Sequence, residues 1–115
     1  EKIIDCAIEV HKRWGPGLLE SIYESALCVE FEHQGLKFQR QVALPLTYRD
    51  RSIVELRLDI VIENSIILEV KSVERMDPLF EAQLRVYLRL SGIKTGLLIN
   101  FYSRLLHQGI KRFVA

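Results

Sequence analysis

With 115 residues, 49% of them hydrophobic and 27% charged, the chain holds enough apolar material for one real core but is too short for a second, so residues 1–115 are expected to form a single domain. Sixteen basic residues against fifteen acidic ones leave a formal charge of +1, which excludes attraction to nucleic acid or membrane by bulk charge and makes any basic site a local one. No apolar run approaches the roughly 20 residues that cross a bilayer and no secretory pattern opens the chain, so no membrane partner is expected and the expected location is cytoplasmic.

The chain reads as one αβββαββ string without internal repeats or low-complexity linkers. Ile3, Ile4, Ala7, Ile8, Val10 and Trp14 recur at helical spacing over residues 2–14, and Gly15-Pro16-Gly17 breaks the pattern. A second helix begins there. Its apolar face is Leu18, Leu19, Ile22, Tyr23, Ala26, Leu27 and Phe31; it runs to about Gln34, with Gly35 suited to the left-handed position beyond its end. Cys6 and Cys28 lack the paired spacing of a zinc site and are expected as buried free thiols. His11, His33 and His107 show no ligand spacing and are expected to be solvated near segment ends.

At Leu36 the period changes to two, and a strand runs to Tyr48, Pro45 being the residue able to interrupt it. Residues 49–52 turn the chain into a second strand, where Val54, Leu56, Leu58, Ile60 and Ile62 share one face and Glu55, Arg57 and Asp59 the other. After Glu63-Asn64-Ser65, a third strand sets Ile66, Leu68 and Val70 against Ile67, Glu69 and Lys71.

Loop length decides what these charges do, because a one-residue slip moves every side chain to the other face. A three-residue loop pairs Ile62 with Ile66, and so sets Asp59 opposite Glu69 and Arg57 opposite Lys71. A two-residue loop sets Asp59 against Val70 and separates the acids. Asn64, tolerant of the left-handed conformation, favours the longer loop. Opposed residues have Cβ atoms about 4.5–5.5 Å apart, and two carboxylates there repel unless a cation lies between them, a role that suits a divalent ion. The alternative is a solvated hairpin face with Lys71 in an ordinary salt bridge to Glu69 or Asp59. Against it, Val61 and Ile67 share the charged face and an amphipathic helix follows at once, so this face is partly covered, and buried carboxylates need a partner.

That helix is expected over residues 78–91, with Asp77 as N-cap, Pro78 in its first turn and Ser91-Gly92 at its end. Its core stripe takes Leu79 or Phe80, then Leu84, Tyr87, Leu88 and Ser91; Gln83, one turn before Tyr87, can hydrogen-bond to whatever the sheet face holds. Thr95 to Phe101 is a continuous apolar run suited to a strand buried on both faces and reached by a helical crossover, and the segment after Gly109 gives a last strand.

The order helix, three strands, helix, strand, with Asp59 ten residues before Glu69-Val70-Lys71, resembles the PD-(D/E)xK nuclease superfamily. The segments GLLESIY at 17–23, EVKS at 69–72, AQLRVYLR at 82–89 and GLLINF at 96–101 resemble more closely its small GxxExxY proteins, and the resemblance covers nearly the whole chain. Trp14 departs from it, standing where a leucine is expected. The resemblance implies an α/β (α+β) fold with a restriction-endonuclease-like core, a mixed central sheet flanked by helices. It also implies a metal-dependent nuclease hydrolysing phosphodiester bonds in DNA, RNA being less favoured. In that reading Asp59, Glu69 and the Val70 backbone carbonyl bind Mg²⁺ or Mn²⁺. Lys71 orients or activates the attacking water and stabilises charge on the phosphate, while Gln83, forming a QxxxY pattern with Tyr87, helps fix the nucleophile or a metal-bound water. Glu20 approaches the metal from the second helix, and Glu24, one turn later, is open to the same role. Arg57, Arg49, Arg51, Lys111 and Arg112 are candidate phosphate contacts, with Tyr87 a candidate base stacker. Low net charge and small size point to a homodimer or protein partner presenting the substrate. The competing readings are a nucleic-acid-binding module and a protein-interaction domain that keep the fold without turnover.

Overall fold

The computed structural model describes residues 1–115 and has the order ααβββαββ rather than αβββαββ, the Gly15-Pro16-Gly17 break leaving two leading helices instead of one: α1 (Lys2–Trp14), α2 (Glu20–His33), β1 (Phe38–Tyr48), β2 (Arg51–Ile62), β3 (Ile66–Lys71), α3 (Pro78–Ser91), β4 (Thr95–Asn100) and β5 (Ile110–Val114), with a 3-10 turn at Leu106–Gly109. The strands form one mixed sheet in the order β1-β2-β3-β4-β5, parallel between β3 and β4 and antiparallel elsewhere. A parallel step needs a long crossover, which α3 supplies. This α+β arrangement is that of a restriction-endonuclease-like fold.

Each sheet face has its own core. On one side α1 and α2 bring Ile3, Ala7, Val10, Tyr23, Leu27 and Phe31 onto Ile60, Ile62, Leu68, Val70, Leu97 and Ile99. On the other, α3 lays Leu84 and Leu88 on Leu58, Val61, Ile67, Leu98 and Phe113. β3 and β4 are therefore covered on both faces, as the apolar run of β4 and the Ile66–Leu68 half of β3 require. Close approach of α3 depends on Gly96, where an added Cβ would stand 3.1 Å from the Leu84 side chain.

The bounds of α3 match the expectation, fixed by Asp77 accepting from the Leu79 amide at 2.9 Å and by Gly92 at φ 78°. Gly35 takes the expected left-handed conformation after α2, and both cysteines are buried and free. The first strand runs through Pro45 to Tyr48 as expected, because β1 is an edge strand where a missing N–H is tolerated. No helix is long and apolar enough to cross a membrane.

Three further expectations need correction. Helix α2 begins at Glu20, and Leu18, Leu19 and Ile22 are exposed rather than part of its apolar face. The reason is local: the Tyr23 hydroxyl donates to the Gly15 carbonyl and accepts from the Leu18 amide, holding the Gly15–Leu18 segment outside the helix while its ring stacks on Phe101. His11 is half-buried instead of solvated, its Nε2 lying 2.7 Å from the Ser103 carbonyl. Leu58 does not share a face with Ile60: it packs under α3 while Ile60 packs under α1 and α2, so alternation slips at Asp59. Facing Asp59 across the ladder, Gln41 has φ 48° and drops out of the pairing.

Candidate active site

The hairpin between β2 and β3 takes the longer-loop register, Ile62 with Ile66, Val61 with Ile67 and Ile60 with Leu68. Asn64 is left-handed as its side chain suggested, and so is Glu63, which is pinned by its own bonds to the Lys37 backbone. The backbone ladder stops at Ile60 and Leu68, one step short of the acids. Side chains continue it: the Asp59 amide donates to Glu69 Oε2 at 2.9 Å, and the Val70 amide donates to Asp59 Oδ2 at 2.8 Å. Each acid thus spends one oxygen on the opposite strand and keeps the other. Because the N–H and C=O of a strand residue point to the same side, the Val70 carbonyl faces the gap in which these carboxylates lie.

Ending the ladder there also separates Arg57 from Lys71, which the extended register had paired; Arg57 turns to Glu55 and the Gln41 carbonyl. Glu69 is only 6% exposed, and burial, followed by the charge of Asp59, pushes its carboxyl up to about 8. Burial likewise raises Asp59, opposed by the Val70 N–H bond. The arrangement is one that resists holding two negative charges without a cation.

Lys71 does not neutralise the pair by contact. The ion pairs of the chain are Arg13–Glu9, Arg40–Glu24, Arg57–Glu55, Lys111–Glu81 and Arg112–Glu1. Lys71 Nζ instead lies 4.4 Å from the centroid of the Phe80 ring on α3, near enough to favour the ionised acids electrostatically. Tyr87 is on the same side: burial and then the charges of Glu69 and Asp59 raise its hydroxyl. Gln83, one turn earlier, is half-buried and makes no side-chain hydrogen bond within the chain.

From the other face come Glu20 and Glu24, and they differ. Glu20 is exposed at the start of α2, its Oε2 accepting from the Ser72 amide at 3.2 Å. Glu24 is 6% exposed and spends both oxygens, on Arg40 Nε at 3.0 Å and Gln41 Nε2 at 3.1 Å. Both raise Asp59, Glu24 more strongly. Ser72 also reaches the Leu18 carbonyl, and buried Asn100 brackets Val73 with bonds to its N–H and C=O, so the chain just past Lys71 is fastened to α2 and to β4. Glu24 is open to a metal role from the sequence, whereas Arg40, Gln41, Ser72 and Asn100 carry no such reading there. Of these four, only Asn100, polar at the end of an apolar strand run, carried a readable signal.

Lys111 and Arg112 form no common patch: as neighbours on β5 they point to opposite faces, one held by Glu81 of α3 and the other by Glu1 before α1. For a divalent ion, the available donors are hard oxygens, the free carboxylate oxygens of Asp59 and Glu69 and the Val70 carbonyl. They fit Mg²⁺, which is bound through one or two carboxylates and keeps several waters. No group of three acidic, histidine or cysteine side chains comes together to hold an ion unaided.

The family model of the PD-(D/E)XK nuclease superfamily matches residues 1–113, and the chain belongs to that superfamily. Its members are usually nucleases that use Mg²⁺ or Mn²⁺. No curated protein and no solved structure gives a significant match.

Proposed function

We propose that residues 1–115 are a single nuclease domain of the GxxExxY type, cytoplasmic, which hydrolyses phosphodiester bonds in DNA in preference to RNA with Mg²⁺ or Mn²⁺. The observation that carries this reading is the Asp59–Glu69 pair: two acids on adjacent strands, Glu69 buried and Asp59 half-buried, each with one oxygen fixed and one free, and no basic side chain in contact with either. A pure binder gains nothing from holding two acids where a phosphate must sit.

Asp59, Glu69 and the Val70 carbonyl would hold the ion. When bound, it lowers the pKa of a coordinated water and offsets charge on the phosphate. Lys71, its Nζ standing over the Phe80 ring, would orient the attacking water and stabilise the extra negative charge of the transition state. The unengaged Gln83 amide fixes that water from α3, and Tyr87 borders the same space. Glu20, which keeps one carboxylate oxygen unbonded, is the better placed of the two α2 acids to approach the ion, since Glu24 has spent both. A second copy or a protein partner helps present the substrate to this nearly neutral chain.

Cleavage of labelled single- and double-stranded DNA and of RNA, with Mg²⁺ or Mn²⁺ and alongside calorimetric metal titration, tests the proposal. Metal-dependent cleavage that disappears in Asp59→Asn supports it; metal binding with no cleavage of any substrate overturns it in favour of a binding module.

A further inference from the structure

We propose that the outer half of the β1–β2 ribbon is an arm that seats in a groove of double-stranded DNA, an inference that rests on the nuclease reading and names how its substrate is held. The ribbon outruns the sheet: β1 and β2 have 11 and 12 residues, against six in β3 and in β4. Packing against α3 extends along the ribbon to Val42, Leu44 and Leu58, and every residue from Thr47 to Glu55 is exposed.

The charge of the chain is concentrated on this ribbon. Its outer half, residues 43–57, holds three arginines (Arg49, Arg51 and Arg57) and two acids (Asp50 and Glu55), a balance of +1, whereas the remaining residues hold 13 basic and 13 acidic side chains. Arg49 and Arg51 at the tip take part in no ion pair, unlike Arg40 and Arg57 nearer the core. Tyr48, 67% exposed, offers its ring to the Arg49 guanidinium 5.9 Å from its centroid. Arginine beside an exposed aromatic is suited to phosphate and base edges.

Shape agrees with charge. A two-stranded ribbon fits a major groove about 12 Å wide. Arg51 and Asp59 lie eight residues apart on one strand. At about 3.3 Å per residue that is roughly 26 Å, or about eight base-pair steps of 3.4 Å, so the tip touches the duplex within one turn of the phosphate at Asp59. Ile53, bulged out of the ladder and 61% exposed, supplies an apolar contact of the kind made to thymine methyl groups. The ribbon is also ill-suited to strand addition by a protein, because Pro45 removes an N–H from its free edge and Gln41 breaks that edge at φ 48°.

The test compares wild type with the double variant Arg49→Ala, Arg51→Ala, the first in the exposed turn and the second at the exposed start of β2, both away from the core. Three measurements are made: anisotropy of a labelled DNA duplex of about 20 base pairs without added divalent ion, the same with its single strand, and Mn²⁺-dependent hydrolysis of bis(p-nitrophenyl) phosphate. Expected are a duplex affinity about tenfold or more weaker in the variant, a salt slope smaller by about two, a wild-type preference for duplex over single strand, and hydrolysis of the small diester by wild type, which reports on the Asp59–Glu69 site separately from duplex binding. Equal duplex affinity in the two proteins, no duplex binding by wild type, or equal binding of single strand overturns the arm even if hydrolysis proceeds. Loss of duplex affinity in the variant with no hydrolysis by either protein supports the arm while removing the nuclease reading. Self-association in ultracentrifugation that the variant abolishes, with duplex affinity unaltered, would assign the ribbon to an interface between copies instead.

Discussion

Asp59 and Glu69 each cap the other's strand: the Asp59 amide is held by the Glu69 carboxylate, and the amide next to Glu69, that of Val70, is held by the Asp59 carboxylate. This reciprocity orients both acids before any ion arrives. It also means that altering one acid disturbs the placement of the other, so conservative amide replacements are the informative ones.

Asp59→Asn keeps an oxygen able to accept from Val70 while removing a charge. Because Asp59 is the second cause of the high Glu69 value, the Glu69 carboxyl should titrate below its present value of about 8 in this variant and still above an ordinary glutamate, burial being the larger cause. Carboxyl-carbon NMR titration reads this directly. Calorimetry should show weaker Mg²⁺ binding than in wild type.

Lys71→Ala removes a group fixed by Phe80 rather than by the acids. The expected outcome is an intact fold, metal binding largely retained, and a turnover lower by about 10²-fold or more, the usual effect of losing one positioned electrostatic group. Metal-dependent cleavage at the wild-type rate would remove Lys71 from the mechanism.

Folding raises Glu69 from the usual 4.5 to about 8 and raises Asp59 as well, so the metal-free fold favours the neutral acids. Stability from such groups is complete below their unfolded values and is lost as pH rises through the folded ones. Urea unfolding without metal should therefore show a falling midpoint from about pH 5 to about pH 9. Added Mg²⁺ binds the ionised acids, so its stabilising effect should grow over the same interval. A metal-free midpoint that rises across this range would contradict the assigned burial of the pair.

Period and punctuation made most of this fold legible. Asp77-Pro78 and Ser91-Gly92 fix both ends of α3, and the apolar run at Thr95 reads directly as a buried parallel strand. The longer-loop hairpin followed from Asn64, and with it the meeting of Asp59 and Glu69. What period could not show is the slip at Asp59, because a strand that changes faces midway looks like unbroken alternation in a list of residues. Glu24 was open to a metal role for a similar reason: its partners Arg40 and Gln41 lie 16 and 17 residues away, on a strand whose face is set by that slip.

The Glu24–Arg40 pair is asymmetric, the carboxylate buried and the guanidinium partly in solvent. Arg40→Ala leaves a buried acceptor short of its partner and should cost about 1–3 kcal/mol, whereas Glu24→Gln keeps a hydrogen-bonding amide and frees an exposed cation, costing less. Chemical denaturation of the two variants gives the comparison; a larger loss for Glu24→Gln would reverse this account.

Tyr23→Phe retains the stacking on Phe101 but abandons the Gly15 carbonyl and the Leu18 amide. A loss of about 1–2 kcal/mol is expected from denaturant midpoints. Activity should fall further than stability predicts, since Leu18 holds Ser72 beside Lys71.

The end of the backbone ladder at Ile60 and Leu68 has a consequence for hydrogen exchange. Amides beyond the last rung of a sheet normally exchange with solvent on local fraying, yet those of Asp59 and Val70 are bonded to carboxylates whose acceptor strength depends on ionisation. Their exchange rates, corrected for the intrinsic effect of pH, therefore report the charge state of the two acids residue by residue. Deuterium uptake at two backbone positions becomes a gauge of proton and metal occupancy that needs neither a label nor a substrate.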